Sequence, residues 1–273
     1  TPVATSRLAS LASRPRTWFV VGPVAAQSLG VRRSGRAVGL GSGVSLWEPA
    51  SDVRSNPIYR LPGWPCVRLN AGRADPRGWL CVGSMRNNVN PDGSSRQASG
   101  KDGILHRLDP DARVTIHKRD IGISNTLAWS PDRRRVYFGD SLANTIWSYD
   151  YDRTPGTVQN EAVFFAGFDR GLPDGSTVDA EGYLWNCRYD GGCIVRIAPD
   201  GKINSVIEIP VSKIATCTCG RGELKTRIVT AARLDPASFE RLGVGLAGQR
   251  RRVRGQPGNP VKFVAVLAGA LVQ

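Results

Sequence analysis

One feature constrains this chain more than any other: a turn followed by a short apolar strand recurs along it. Arg32-Arg-Ser-Gly precedes Ala37-Val-Gly-Leu, and Asp75-Pro-Arg-Gly precedes Trp79-Leu-Cys-Val. Ser130-Pro-Asp precedes Val136-Tyr-Phe, and Asp179-Ala-Glu-Gly precedes Tyr183-Leu-Trp, giving spacings of 43, 55 and 49 residues. A second unit recurs out of phase, in Val44-Ser-Leu-Trp-Glu-Pro, Leu105-His-Arg-Leu-Asp-Pro, Ile146-Trp-Ser-Tyr-Asp-Tyr and Ile194-Val-Arg-Ile-Ala-Pro. Its one long interval holds Arg86 to Asp102, a polar Asn, Ser and Gly stretch that reads as a loop insertion. Repeats of roughly 40–50 residues with about four short strands each are the pattern of propeller blades. Helical solenoid repeats would need a 3.6-residue period, which these segments lack.

The unit after Ser124 shows its strands best, at Thr126–Trp129, Arg135–Gly139, Thr145–Tyr151 and Ala162–Ala166. Units begin near residues 24, 67, 122, 171 and 214, and Arg16–Val20 reads as a stray strand of an earlier unit. The expected fold is all-β: one domain over residues 1–273, a six-bladed β-propeller with its first or closing blade incomplete. Its well-patterned core spans 16–235, between flanks 1–15 and 236–273.

The formal net charge of +14 raises the question of a nucleic-acid partner. The charge is confined to the flanks: residues 1–100 carry +9, 101–220 carry −2 and 221–273 carry +7. Of the 37 basic residues 31 are Arg, without the Lys and interleaved aromatics of a binding face, so no nucleic-acid partner is expected. No apolar run reaches the ~20 residues of a membrane helix, so no membrane association is expected. Trp18 to Ala26 mimics a signal peptide but contains Pro23 and reads as a strand. None of the six cysteines forms a C-x-x-C pair, so buried free thiols and a cytoplasmic, monomeric protein are expected.

In a propeller the first strand of each blade lines the central channel, and residues just before it face one mouth. Counting back five from Asp75, Ser130 and Asp179 gives Asn70, Asn125 and Asp174, with Arg68 two residues before Asn70. A carboxylate, two amide oxygens and a guanidinium at one mouth suggest a hard-cation site with a clamp for an anion or hydroxyl. Asn and Asp at such places also cap turns, and the spacing alone leaves both readings open. Rival motifs are poor. Gly243-Val-Gly-Leu-Ala-Gly follows no strand, no G-x-S-x-G elbow exists, and His106 and His117 lie in strand-like runs. Arg133–Arg135 reads as a solvated turn.

At these same residues the sequence resembles the senescence marker protein (regucalcin) / gluconolactonase family of six-bladed propeller lactonases. The resemblance is carried by Arg68-Leu-Asn-Ala-Gly-Arg-Ala-Asp-Pro-Arg-Gly, Gly122-Ile-Ser-Asn-Thr-Leu-Ala-Trp-Ser-Pro-Asp and Val136-Tyr-Phe-Gly-Asp-Ser. It continues in Gly171-Leu-Pro-Asp-Gly-Ser-Thr-Val-Asp-Ala-Glu-Gly and Thr216-Cys-Thr-Cys-Gly. It implies metal-dependent hydrolysis of a sugar lactone, of gluconolactone or pentonolactone type, in carbohydrate metabolism. The implied cofactor is a divalent cation (Ca2+, Zn2+, Mn2+ or Fe2+). The resemblance places Asn125 and Asp174 as metal ligands, Asp174 also as general base, and Arg68 and Asn70 as substrate contacts. Three departures stand out. No Glu precedes Glu48, where the family has a Gly-Glu-Gly-Pro ligand; the family's Asn-Asp-Gly is Asn70-Ala71-Gly72; and Gln249-Arg-Arg-Arg replaces an apolar strand. The Arg-rich flanks read as truncated or frame-shifted coding sequence. The alternative function is a catalytically impaired or non-enzymatic binding scaffold of the same family.

Overall fold

The computed structural model describes residues 35–231 except 49, 93 and 221–225, together with the backbone of five strands in the flanks. In chain order the strands are β1 (Thr5–Ser6), β2 (Trp18–Phe19), β3 (Val24–Arg32), β4 (Gly35–Leu40), β5 (Gly43–Glu48), β6 (Val53–Arg54), β7 (Tyr59–Arg60), β8 (Val67–Ala74), β9 (Leu80–Arg86), β10 (Gly103–Leu108), β11 (Val114–Ile121) and β12 (Ser124–Trp129). They continue as β13 (Arg135–Asp140), β14 (Thr145–Asp152), β15 (Thr157–Ala166), β16 (Leu172–Val178), β17 (Leu184–Tyr189), β18 (Cys193–Ile197), β19 (Ile203–Glu208), β20 (Ile214–Gly220), β21 (Thr226–Ala231), β22 (Arg251–Val253) and β23 (Lys262–Leu267). No helix occurs among the described residues, so none there is long and apolar enough to cross a membrane.

These strands form five successive sheets. Three are four-stranded antiparallel meanders: β8–β11, β12–β15 and β16–β19. The first sheet orders β3-β4-β5-β6, with β7 also pairing β5. Its outer strand is thus split into two pieces, with Pro57, which has no N–H to donate, between them. The last sheet orders β20-β21-β23-β22, and β23 joins β21 in parallel rather than as a meander. β1 and β2 form a two-stranded ribbon. The units expected to start near 24, 67, 122, 171 and 214 start at Val24, Val67, Ser124, Leu172 and Ile214. The expected loop insertion is residues 87–102, closed by an Arg86–Asp102 ion pair of 2.7 Å. The G-x-G-x-x-G stretch lies outside the described residues, as does all of flank 236–273 except β22 and β23.

Turn chemistry explains the recurrence. Asp75 Oδ1 accepts from the N–H groups of Arg77 and Trp79, both at 2.9 Å. Asp179 Oδ1 does the same for Glu181 and Tyr183, at 3.1 and 3.0 Å. Gly78 and Gly182 follow at φ 87°, and Arg133 takes the equivalent left-handed place at φ 61°. Each turn sends the chain back as a second strand whose two faces meet neighbouring sheets. β13 is accordingly buried along nearly its whole length, while outer strands β15 and β19 are largely exposed.

The core fills the interfaces between consecutive sheets. Leu61, Leu69, Val82 and Leu108 pack between the first and second sheets, and Cys81, Leu105, Leu127 and Phe138 between the second and third. Tyr137, Ile146, Leu184 and Val195 fill the next interface, and Trp185, Ile194, Ile214 and Val229 the last. Each large side chain so buried contributes about 1.5–3 kcal/mol. The first strands β8, β12, β16 and β20 pack against one another in chain order, a propeller-like arrangement that gathers one end of each strand at a common mouth.

Candidate functional site at the mouth of the sheets

Arg68, Asn70, Asn125 and Asp174 are all buried, between 2% and 5% exposed. They lie inside the first strands rather than just before them. The pairing of β8 shifts between Leu69 and Gly72, that of β12 between Asn125 and Leu127, and that of β16 between Pro173 and Ser176. Asn70 and Asp174 are skipped by the pairing, whereas Asn125 pairs Gly139 immediately before the skipped Thr126, so all three sit at or beside a break in the ladder. The repeat fixes their register, and the breaks lie where the strands approach the mouth.

A hydrogen-bond chain ties three sheets together there. Arg68 Nη1 donates to Asn70 Oδ1 at 2.9 Å. Asn70 Nδ2 donates to Ser124 O at 2.9 Å and to Asn125 Oδ1 at 3.3 Å. Asn125 Nδ2 donates to Ser141 Oγ at 2.8 Å, and the Ser141 hydroxyl donates to Pro173 O at 2.6 Å. The chain thus ends on the peptide preceding Asp174. The Asp174 carbonyl itself accepts from Thr126 Oγ1 at 2.5 Å and from Asn186 Nδ2 at 3.3 Å. Close approach of the strands depends on glycine: a Cβ on Gly175 would lie 2.3 Å from Thr216 Oγ1, and one on Gly83 2.3 Å from Ser124 Cβ.

The electrostatics follow from burial. The Arg68 guanidinium is pulled down to about 10 by desolvation. Neutral oxygens hold it: Asn88 Oδ1 takes Nε at 3.1 Å and Nη2 at 3.0 Å, and Leu69 O takes Nη1 at 3.0 Å. Tyr189 is pushed up to about 12, first by burial and then by the charges of Asp190 and Asp174. The described residues hold no group of three or more His, Cys, Asp or Glu placed for a metal. The Asn125 amide oxygen and the Asp174 carboxylate are donors of the kind a hard divalent cation takes, whereas Asn70 Oδ1 is engaged by the Arg68 guanidinium. The long Asn70–Asn125 contact is the bond that Asn125 Oδ1 would give up to bind one.

The family SMP-30/Gluconolactonase/LRE-like region matches residues 6–233. The chain belongs to this family. It is 35% identical to Regucalcin of Danio rerio over 170 residues, which cover 62% of this chain and 55% of that protein. It is 35% identical to Pentonolactonase XacC of Haloferax volcanii over 167 residues, 61% of this chain and 54% of that one. The chain thus spans little more than half the length of these relatives. A luciferin-regenerating enzyme superposes with a TM-score of 0.70 at 28% identity, covering 91% of this chain and 85% of that one. A calcium-binding regucalcin of Agrobacterium tumefaciens superposes with a TM-score of 0.73 at 26% identity, covering 84% and 75%.

Within this family member, the residues that sequence reasoning missed are those that brace the site. Asn88, in the inserted loop, grips Arg68, and Ser141, Thr126 and Asn186 fix the inner strands. Asn186 carried a signal, since it interrupts the apolar run Leu184-Trp185-Cys187. Asn88 carried none, being one Asn in a polar loop. Glu48 ends β5, the third strand of its sheet. Its Oε1 accepts from Ala50 N at 3.1 Å, and its Oε2 is buried without a hydrogen-bond partner. His106 is buried and tilted against Tyr59 at 5.8 Å, and His117 is half-buried on β11; neither contacts the mouth residues. Cys81, Cys187, Cys193 and Cys217 are buried free thiols, whereas Cys66 is exposed.

Proposed function

We propose that this chain is a sugar lactonase, opening a gluconolactone- or pentonolactone-type ring to the aldonic acid with a divalent cation held by Asn125 and Asp174. The reading places the site on a single-domain, monomeric, cytoplasmic six-bladed propeller whose first or closing blade is incomplete. The five sheets plus the β1–β2 ribbon support the blade count. The observation that carries the function is the buried, hydrogen-bonded set in one repeat register, in a family that includes a pentonolactonase.

In this reading Arg68, held flat by Asn88 and Asn70, donates from its guanidinium to the sugar hydroxyls and ring oxygen. Asn70 offers its amide beside it and sets the substrate's orientation. Asp174 orients the attacking water and accepts its proton as the oxygen adds to the lactone carbonyl. The ring C–O bond then breaks, and the ring oxygen takes that proton from Asp174 as it leaves as the alcohol of the aldonic acid. A bound cation would supply Lewis acidity toward the carbonyl and a lowered pKa for water. Thr126 and Asn186, which grip the Asp174 carbonyl, keep the carboxylate at its post.

The test follows proton release from glucono- and pentonolactones, with and without chelator. Wild type should exceed background hydrolysis, chelation should remove the excess, and Asp174→Ala should abolish it. Asn125→Ala should lower activity in a way that added cation partly restores. Activity that survives chelation, or persists in Asp174→Ala, overturns the metal mechanism. One observation favours a second reading: no further acid joins Asp174 in a metal cluster among the described residues. If wild type and a chelated blank hydrolyse lactone equally slowly, the chain is a non-catalytic scaffold.

A further inference from the structure

A cavity of about 970 Å³ lies away from the mouth. It opens where β8 and β12 end, at turns 75–79, 109–112 and 130–133. Arg68 and Arg73 lie on the same strand five residues apart, so at about 3.3 Å per residue the two sites stand roughly 15 Å apart. The volume suits a small organic molecule.

The charges of this cavity do not balance. Arg73, Arg77 and Arg133 line it, and none of the three forms a side-chain hydrogen bond or ion pair among the described residues. Both acids that line it are committed elsewhere. Asp75 accepts from two backbone N–H groups and, at 2.6 Å, from the Tyr151 hydroxyl. Asp109 pairs with Arg107 at 2.9 Å and with Arg113 at 3.1 Å. Burial lowers the affinity of the Arg73 guanidinium for its proton, against an opposing pull from Cys217, the sign of a cation partly stripped of water. An unpaired, partly desolvated cation is costly, and an anion is what relieves it.

The rest of the lining sets the shape of that anion. The Trp79 ring lies beneath Arg77, 3.5 Å from its guanidinium carbon, and Trp129 lines the same space. Leu46 and Ile58 also line it and are 46% and 41% exposed, apolar surface left open to the cavity. Cation–π stacking holds Arg77 flat and pre-orders it for a planar partner.

We propose that this cavity is a second binding site, for a small organic anion whose carboxylate, sulfonate or phosphate meets Arg73, Arg77 and Arg133 and whose planar apolar body covers the Leu46–Ile58 wall. The site is independent of the mouth and of the chemistry assigned there.

Anilinonaphthalene sulfonate, an aromatic anion, is the probe, and its fluorescence on the full chain is the readout. It should bind at one site per chain, weaken as salt is raised, and bind about tenfold more tightly than the uncharged N-phenylnaphthylamine. Arg73→Gln with Arg77→Gln should weaken it by about tenfold or more. Arg133→Gln, on an exposed turn where folding is not at risk, should weaken it several-fold and decides the matter if the double variant fails to fold. Asp174→Asn, at the mouth, should leave probe binding unchanged. Equal binding of the uncharged analogue, insensitivity to Arg133→Gln in a folded protein, or loss of binding in Asp174→Asn would each overturn the proposal.

Discussion

The bond between Asn125 on β12 and Ser141 just after β13 lies within one sheet and joins the contacts which that sheet makes with its two neighbours through Asn70 and Pro173, and a double-mutant cycle can weigh it. Asn125→Ala removes the 2.8 Å bond to Ser141 Oγ and the 3.3 Å bond from Asn70 Nδ2. At about 1 kcal/mol for each buried bond, that is about 2 kcal/mol. The partners are not orphaned, since Asn70 Nδ2 keeps Ser124 O and the Ser141 hydroxyl keeps Pro173 O. The vacated carboxamide, roughly 30 Å³ at about 24 cal/mol per Å³, adds somewhat less than 1 kcal/mol. The expected loss is about 3 kcal/mol. With a urea slope of about 3 kcal/mol per molar, the midpoint should fall by roughly 1 M. Ser141→Ala removes the same bond together with the 2.6 Å bond to Pro173 O, and should cost about 2 kcal/mol. Because the shared bond is lost only once, the double variant should cost about 1 kcal/mol less than the sum of the singles. Urea unfolding followed by tryptophan fluorescence measures all three. Strict additivity, within about 0.3 kcal/mol, would show that no such bond joins the two inter-sheet contacts, and the chain leading toward Asp174 would fall with it.

Gly175→Ala places a methyl within 2.3–2.4 Å of the Thr216 side chain and 2.8 Å of Ala215 O, on two strands that cannot separate without opening the mouth. It should cost about 2–3 kcal/mol by thermal or urea unfolding, and a neutral result would show that β16 and β20 are not so closely apposed. His117 is drawn from its usual 6.5 to about 4, by burial first and the Arg107 charge second, against the opposing pull of Asp75 and Asp109. The folded state thus binds this proton less readily than the unfolded chain, so stability should fall as pH drops from about 6.5 toward 4, by up to about 3 kcal/mol. His117→Gln should flatten that part of the profile, read as urea midpoints at several pH values. Tyr151→Phe deletes the 2.6 Å bond to the buried Asp75 carboxylate and should cost about 2 kcal/mol; equal midpoints would deny that bond a role.

Strands, turns and the order of the sheets were legible in the sequence, because each depends on neighbours a few residues away. Asp75 and Asp179 close their turns on N–H groups two and four residues on, so the spacing of those turns announced where each sheet begins. The same spacing put Asn70, Asn125 and Asp174 in one register and left open whether they cap turns or form a site. Tertiary structure decided what that register means. The bond from Asn70 to Asn125, the grip of Asn88 on Arg68 and the path from Asn125 through Ser141 to Pro173 join residues 16 to 55 positions apart. The cavity lined by Arg73, Arg77 and Arg133 likewise exists only where the ends of three sheets meet. Such contacts are set by how strands from separate sheets pack, and a repeat period specifies each sheet without specifying the side chains that will face one another between them.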